Sequence, residues 1–237
     1  MLKKNLLNAL YIFFLGAISS YSLPPYNYFI INFFTFSLFF IFLFKKRKTN
    51  SNNKSFFKHG WFFGFGYFLC SLYWIAISLT FDESFKFLIP IAIVLLPAFL
   101  AIFYGLITYF FSIFYSKNII STFFIFSILY GSVEFIRGFI LTGFPWNLIA
   151  FSFSESIYFI QILSVIGTYS FNLICISLFT VPAIFILRKA RKEIIVCSFF
   201  IVISIGFLIF GNLKYNQFNT LADIKNNFII RTVSSKI

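Results

Sequence analysis

FLIPIAIVLLPAFLAIFYGLITYFFSIFY, residues 87–115, contains no Asp, Glu, Lys, Arg or His. Wound as an α-helix at about 1.5 Å per residue, the stretch is longer than the ~30 Å hydrocarbon core of a bilayer. It does not alternate apolar and polar residues with period two, so it reads as a helix and not as a barrel strand. Pro90 and Pro97 predict a kink near its start. The rest of the chain has the same texture. Its 237 residues are 60% hydrophobic and 11% charged, with a mean hydropathy of +0.94. Soluble domains carry about 25% charged residues. A globule in water could not cover this much apolar surface, so lipid is the solvent that the composition fits. In lipid every backbone polar group must be paired internally.

Outward from 87–115, six further apolar stretches of spanning length follow, at 6–20, 28–44, 60–80, 119–137, 157–187 and 194–211. The expected fold is therefore all-α, a polytopic membrane bundle of about seven transmembrane helices. The first stretch also has the layout of a signal peptide. It is read as an uncleaved first span because further spans follow at once. Lys45–Lys58, KKRKTNSNNKSFFK, is predicted to be a solvated loop. Residues 138–156 are apolar but broken by Gly143 and Pro145, which predicts a re-entrant or interfacial segment, or a loop packed on the membrane surface. Gly167 and Pro182 predict a bend or tilt in the sixth span. The domain reading is 1–213 for the helical membrane domain and 214–237 for a polar tail ending in the strand-prone FIIRTV.

The formal net charge is +13. On a soluble domain that would suggest nucleic acid, but the charges here form short clusters between apolar spans, so no nucleic-acid partner is expected. With the N-terminus inside, one face collects Lys3, Lys4, the six basic residues of 45–58, Lys117, Arg188, Lys189, Arg191 and Lys192, most of the 19 Lys and Arg. By the positive-inside rule that face is cytoplasmic and the tail after Gly211 lies outside. Cys70, Cys175 and Cys197 lie in apolar spans without metal-ligand spacing and read as small buried hydrophobes. His59, the single histidine, reads as a residue of the basic loop. Neither a metal nor a cofactor is expected. The 42 phenylalanines read as the codon bias of an AT-rich genome.

Three stretches carry a family resemblance: HGWFFGFGYFLCSLYWIAISL (59–79), EFIRGFILTGFPWNLIAFSFS (134–154) and QILSVIGTYSFNLI (161–174), with LPP at 23–25. The pattern E-F-x-R-G…T-G-F-P-W-N, then Q…G-x-Y, resembles the membrane domain of bacterial apolipoprotein N-acyltransferases, in the same order over nearly the whole chain. The resemblance implies an inner-membrane acyltransferase. Its members move an acyl chain from a phospholipid to the α-amino group of a lipoprotein's diacylglyceryl cysteine, in two steps through a thioester on the enzyme. It also implies a nitrilase-like α/β domain with a Glu-Lys-Cys triad on the outer face after the seventh helix, and an eighth helix. NFIIRTVSSKI (227–237) resembles the first strand of that domain, and no triad residue can be matched. The chain is therefore expected to be a truncated product, a fragmentary gene or half of a split pair, inactive by itself. The alternatives are a non-enzymatic scaffold or split-enzyme subunit and, less favoured, a small transporter. A transporter predicts repeated halves or ionisable residues strung across mid-membrane. Only Glu134 is an acidic group well inside a span.

The candidate substrate-contacting residues are Trp146, Pro145, Asn147, Arg137 and Glu134. Glu134 and Arg137, three apart, share a helix face. They are read either as a lipid-headgroup or substrate contact or as a structural ion pair with Arg137 snorkelling outward, and the structural role is favoured. Gly143–Asn147 reads equally as the mouth of an acyl path and as a turn anchored by interfacial Trp146. Gly64 and Gly66 are read as permitting close helix packing. Phospholipids and, by the resemblance, diacylglyceryl lipoproteins are the expected partners.

Overall fold

The computed structural model describes residues 2–49, 52–140 and 143–222. The expected strand within 227–237 lies outside these residues. Eight α-helices run in order among them: α1 (Leu2–Ser19), α2 (Ile30–Thr49), α3 (Asn53–Leu72), α4 (Ile89–Phe114), α5 (Ile119–Phe139), the short α6 (Ile157–Ile160), α7 (Leu163–Leu187) and α8 (Arg191–Ala222). The all-α membrane bundle is borne out. Five helical segments among the described residues are long and apolar enough to cross a membrane: Asn53–Thr80, Glu83–Phe114, Ile119–Phe139, Leu163–Leu187 and Arg191–Thr220. α1 and α2 are not among the five; α1 carries Lys3 and Lys4, and α2 ends in Lys45–Lys48. The apolar window of the α8 segment is only 17% buried and that of the α4 segment only 22%. Apolar faces left so open inside the fold need lipid around them.

Several boundaries differ from the sequence reading. The 45–58 stretch is mostly helix, with α2 running to Thr49 and α3 starting at Asn53. Lys and Arg are good helix formers, and Lys46, Arg47 and Lys48 lie in the last turn, the negative end of the helix dipole. Asn52 caps α3 by accepting from Lys54 N–H at 3.0 Å. His59 is consequently no loop residue: it lies in α3 and is only 7% exposed. Of the cysteines, Cys175 and Cys197 are buried, while Cys70 is half-buried. The third span leaves α-geometry at Leu72 and continues as a 3-10 stretch, Tyr73–Thr80. Pro90 sits in the first turn of α4, where a missing N–H costs nothing, so only Pro97 lies inside the helix. Gly167 breaks the sixth span as expected: its φ of 74° lies in the left-handed region, with non-helical backbone inside α7. Past Gly211, α8 continues to Ala222.

The core is aromatic. Phe39 stacks on Phe63 with centroids 4.2 Å apart, and Phe40 meets Phe126 edge-on at 5.3 Å. α3 is the centre of one half, packed on α1 and α4; α7 is the centre of the other, packed on α2 and α5. The α1–α3 contact is backbone-close. A methyl group on Gly66 would lie 2.2 Å from the Phe13 carbonyl oxygen and 2.9 Å from the Ala17 nitrogen. Gly64 plays the matching role toward Tyr104 and Ala101 of α4.

Gly66→Ala should therefore lower thermal stability in detergent by about 1–3 kcal/mol, because the obstacle is backbone. Gly206→Ala, where nothing lies within 4 Å, should instead be neutral or stabilising by up to about 1 kcal/mol. Thermal unfolding of the two variants checks the pair; equal shifts would mean that α1 and α3 are not in this close contact.

Candidate functional site: a buried ion pair behind an aromatic turn

After Phe139 the chain cannot continue as helix. Gly143 adopts φ 80° and Asn147 φ 56°, both in the left-handed region that Gly tolerates fully and Asn better than most residues. Between them Pro145 offers no N–H. The chain thus folds back over the end of α5, with Phe144 N–H donating to the Arg137 carbonyl at 3.0 Å. A 3-10 stretch, Ile149–Phe153, follows, and Leu148, Ile149, Ala150 and Phe153 are buried. A turn packed into the protein is thus what 143–156 provides.

The turn is held from beneath by α5. Arg137 is only 1% exposed, so it does not snorkel. Its Nη1 donates to the Phe144 carbonyl at 2.7 Å and to the Trp146 carbonyl at 3.0 Å. Its guanidinium lies between the rings of Phe68 at 5.4 Å and Phe144 at 5.9 Å. One helical turn back, Glu134 is fully buried, with Oε1 3.9 Å from Arg137 Nη2. Glu134 accepts from the Tyr104 hydroxyl at 2.8 Å and from the Asn172 side-chain amide. Asn172 in turn accepts from Ala150 N–H at 2.9 Å. Tyr67 donates to the Asn147 carbonyl at 3.0 Å. Side chains from α3, α5 and α7 thus pair four backbone groups of one segment, while α4 supplies Tyr104 to Glu134.

Above this base the surface is apolar. Trp146 is 49% exposed and stacks on Trp74, centroids 5.2 Å apart and planes within 11°. The indole pair separates two open clefts. One, about 560 Å³, is lined by Trp74, Ile75, Ile77, Phe81, Phe144 and Trp146. The other, about 390 Å³, reaches Leu23, Pro24, Ser71 and Asn147.

The structure brings all five sequence candidates into one place in two layers. Glu134 and Arg137 are interior; Pro145 and Trp146 are exposed, and Asn147 is half-buried between them. Tyr67, Trp74, Tyr104 and Asn172 were missed as members of the group. The signal for Asn172 was present, a lone amide inside an apolar span, which usually bonds another helix. Tyr169, from the G-x-Y element, packs against Phe135 and Phe139 at 5.1 and 5.8 Å and directly over Gly138. Among the described residues no group of three or more His, Cys, Asp or Glu could hold a metal ion.

Fold and site together define a polytopic helical membrane protein in which a buried ion pair braces an exposed aromatic turn. The family model for the apolipoprotein N-acyltransferase N-terminal domain matches residues 15–181, and the chain belongs to that family. Similar relatives include three proteins named apolipoprotein N-acyltransferase. The one from Allorhizobium ampelinum is 30% identical over 210 residues, covering 86% of this chain and 38% of the relative. The one from Rhizobium etli is 34% identical, covering 75% and 34%. The one from Rhodopseudomonas palustris is 34% identical, covering 72% and 32%. The chain thus spans about a third of the length of these relatives.

Proposed function

We propose that this chain serves as the membrane domain in apolipoprotein N-acyl transfer, presenting a phospholipid acyl chain at the cleft beside Trp146. The observation that carries the reading is the brace beneath that cleft: one buried guanidinium holding two turn carbonyls, those of Phe144 and Trp146. In this reading Trp146 and Pro145 touch the acyl chain, Asn147 shapes the turn, and Arg137 and Glu134 position it from behind. Rigid aromatic walls suit a lipid tail, which offers dispersion contacts and no polar handle.

The transfer itself breaks an ester at the donor and forms an amide at the acceptor amine. A thioester route needs a thiolate nucleophile with a base in reach. Cys175 and Cys197 are buried and Cys70 is half-buried, all three within helices, and the partner of the Cys197 thiol is the Val181 carbonyl at 3.8 Å. These thiols therefore take no part in the reading, and the 237-residue chain by itself is proposed to be inactive.

The proposed topology has seven spans in the bacterial inner membrane, α1 and α2 being the first two. The α2–α3 connection is cytoplasmic, and the Trp146 turn and the end of α8 are periplasmic. Basic residues at Lys45–Lys48, Lys54 and Lys58 support it. Cysteines introduced at Lys54 and Asn219 should label from opposite faces with a membrane-impermeant reagent; labelling from the same face would sink the topology.

The activity reading is tested in a full-length relative that carries the same G-F-P-W turn. Replacing the tryptophan equivalent to Trp146 by Ala should lower acyl transfer on the order of tenfold, the scale of losing one aromatic anchor, with protein level little changed. Phospholipid and a diacylglyceryl peptide supplied to the present chain alone should give no triacylated product. Unchanged transfer in the first experiment, or turnover in the second, would place the chemistry elsewhere.

A further inference from the structure

At the opposite end of α3 from Trp74, about 30 Å away along the helix, lies a second chemistry-bearing feature. A crevice of about 590 Å³ opens between α1, α2 and α3, lined by Lys46, Lys54, Lys58 and His59 together with Asn5 and Phe62. No carboxylate lines it among the described residues. The ion pairs among the described residues lie elsewhere, Lys86–Glu83 and Arg137–Glu134, so among those residues the three ammonium groups have no acidic partner.

Its inner wall is organised. His59, only 7% exposed, has its Nδ1 on the Ser55 carbonyl and its Nε2 3.0 Å from Lys46 Nζ. A carbonyl can only accept, so Nδ1 carries the proton and Nε2 accepts from Lys46. This fixes the half-buried Lys46 ammonium at the crevice, its one hydrogen bond among the described residues being the one to His59. Lys54 and Lys58, four residues apart on α3, share one helix face and are exposed.

The same two lysines border a second cleft, about 350 Å³, whose other walls are Phe57, Leu106 and Tyr109. A cationic crevice and an apolar cleft thus share one ridge. A free anion would use only the first. A molecule with a phosphate and a hydrocarbon tail would use both, and lysine stems bridge the two environments naturally.

We propose that this ridge is a binding site for an anionic phospholipid, its phosphodiester held by Lys46, Lys54 and Lys58 and an acyl chain lying along Phe57, Leu106 and Tyr109. The site is at the end of the bundle remote from the Trp146 cleft, so its occupant is a bound structural lipid and not the acyl donor proposed above. It stands independently of that reading.

Native mass spectrometry of the full chain, in mixed micelles of equal phosphatidylglycerol and phosphatidylcholine, tests the proposal. The chain should retain phosphatidylglycerol over phosphatidylcholine on the order of tenfold. Lys54→Ala/Lys58→Ala should bring the ratio near one with unchanged helical circular dichroism; Lys54→Gln/Lys58→Gln serves equally if the first variant is poorly recovered. Lys45→Ala/Lys48→Ala removes the same charge from outside the crevice and should preserve the ratio. Absence of preference in the unmodified chain, or equal loss in both double variants, would overturn the proposal. So would displacement of the bound lipid by millimolar inorganic phosphate, which would assign the crevice to a free anion.

Discussion

A carboxylate and a guanidinium sit 3.9 Å apart in the apolar interior of this bundle, and much of the surrounding structure serves to partner them, with Arg137 Nε and Nη2 left to the ion pair and the neighbouring rings without a hydrogen bond among the described residues. Neither charge is affordable there alone. Moving one ion out of water costs several kcal/mol even after relaxation, and the attraction to its neighbour offsets this only when hydrogen bonds complete the remaining sites. Tyr104 and Asn172 complete Glu134, and the Phe144 and Trp146 carbonyls complete one nitrogen of Arg137. These partners come from α4, from α7 and from the turn itself. The pair therefore ties together elements that hydrophobic packing in lipid would bring together only weakly, since lipid tails compete for the same contacts.

The constraint also explains why an irregular segment can exist at this place. Non-helical backbone at the membrane is tolerated only where protein or water pairs its polar groups. Here Arg137, Tyr67 and Asn172 meet three carbonyls and one N–H between Phe144 and Ala150. With the backbone so paired, the side chains of Pro145 and Trp146 are free to face outward, and Trp146 walls both clefts. The interior layer of the motif thus holds the backbone, and the outer layer leaves its side chains exposed.

Much of the architecture was legible because apolar runs of spanning length leave little choice. Residues 87–115 and 194–211 became α4 and α8 because nothing in them could face water. Polarity and coil do not coincide in this chain. KKRK at 45–48 is strongly polar and yet helical, since charge does not oppose helix formation at a C-terminal turn. His59 was assigned to the loop for the same reason and is instead buried. At the site, Glu134 and Arg137 were visible as charges at helical spacing inside a span. Their partners were not, because Tyr104 and Asn172 stand 30 and 38 residues from Glu134. Such separations carry no local periodicity to read. The exposure of Trp146 was foreseeable from its chemistry, whereas its stacking on Trp74 depends on the 3-10 stretch after Leu72, which the apolar run conceals.

The central claim is that Glu134 and Arg137 act as one unit. A double-mutant cycle tests it most directly: Glu134→Gln, Arg137→Gln and the double variant, each followed by equilibrium unfolding in detergent. Each single change should cost on the order of 3–5 kcal/mol, because it strands a buried partner. The double variant should cost less than the sum by about 2 kcal/mol or more, within the range measured for contacting charged groups. Additivity within about 0.5 kcal/mol would mean that the two charges are stabilised separately, and would contradict the account.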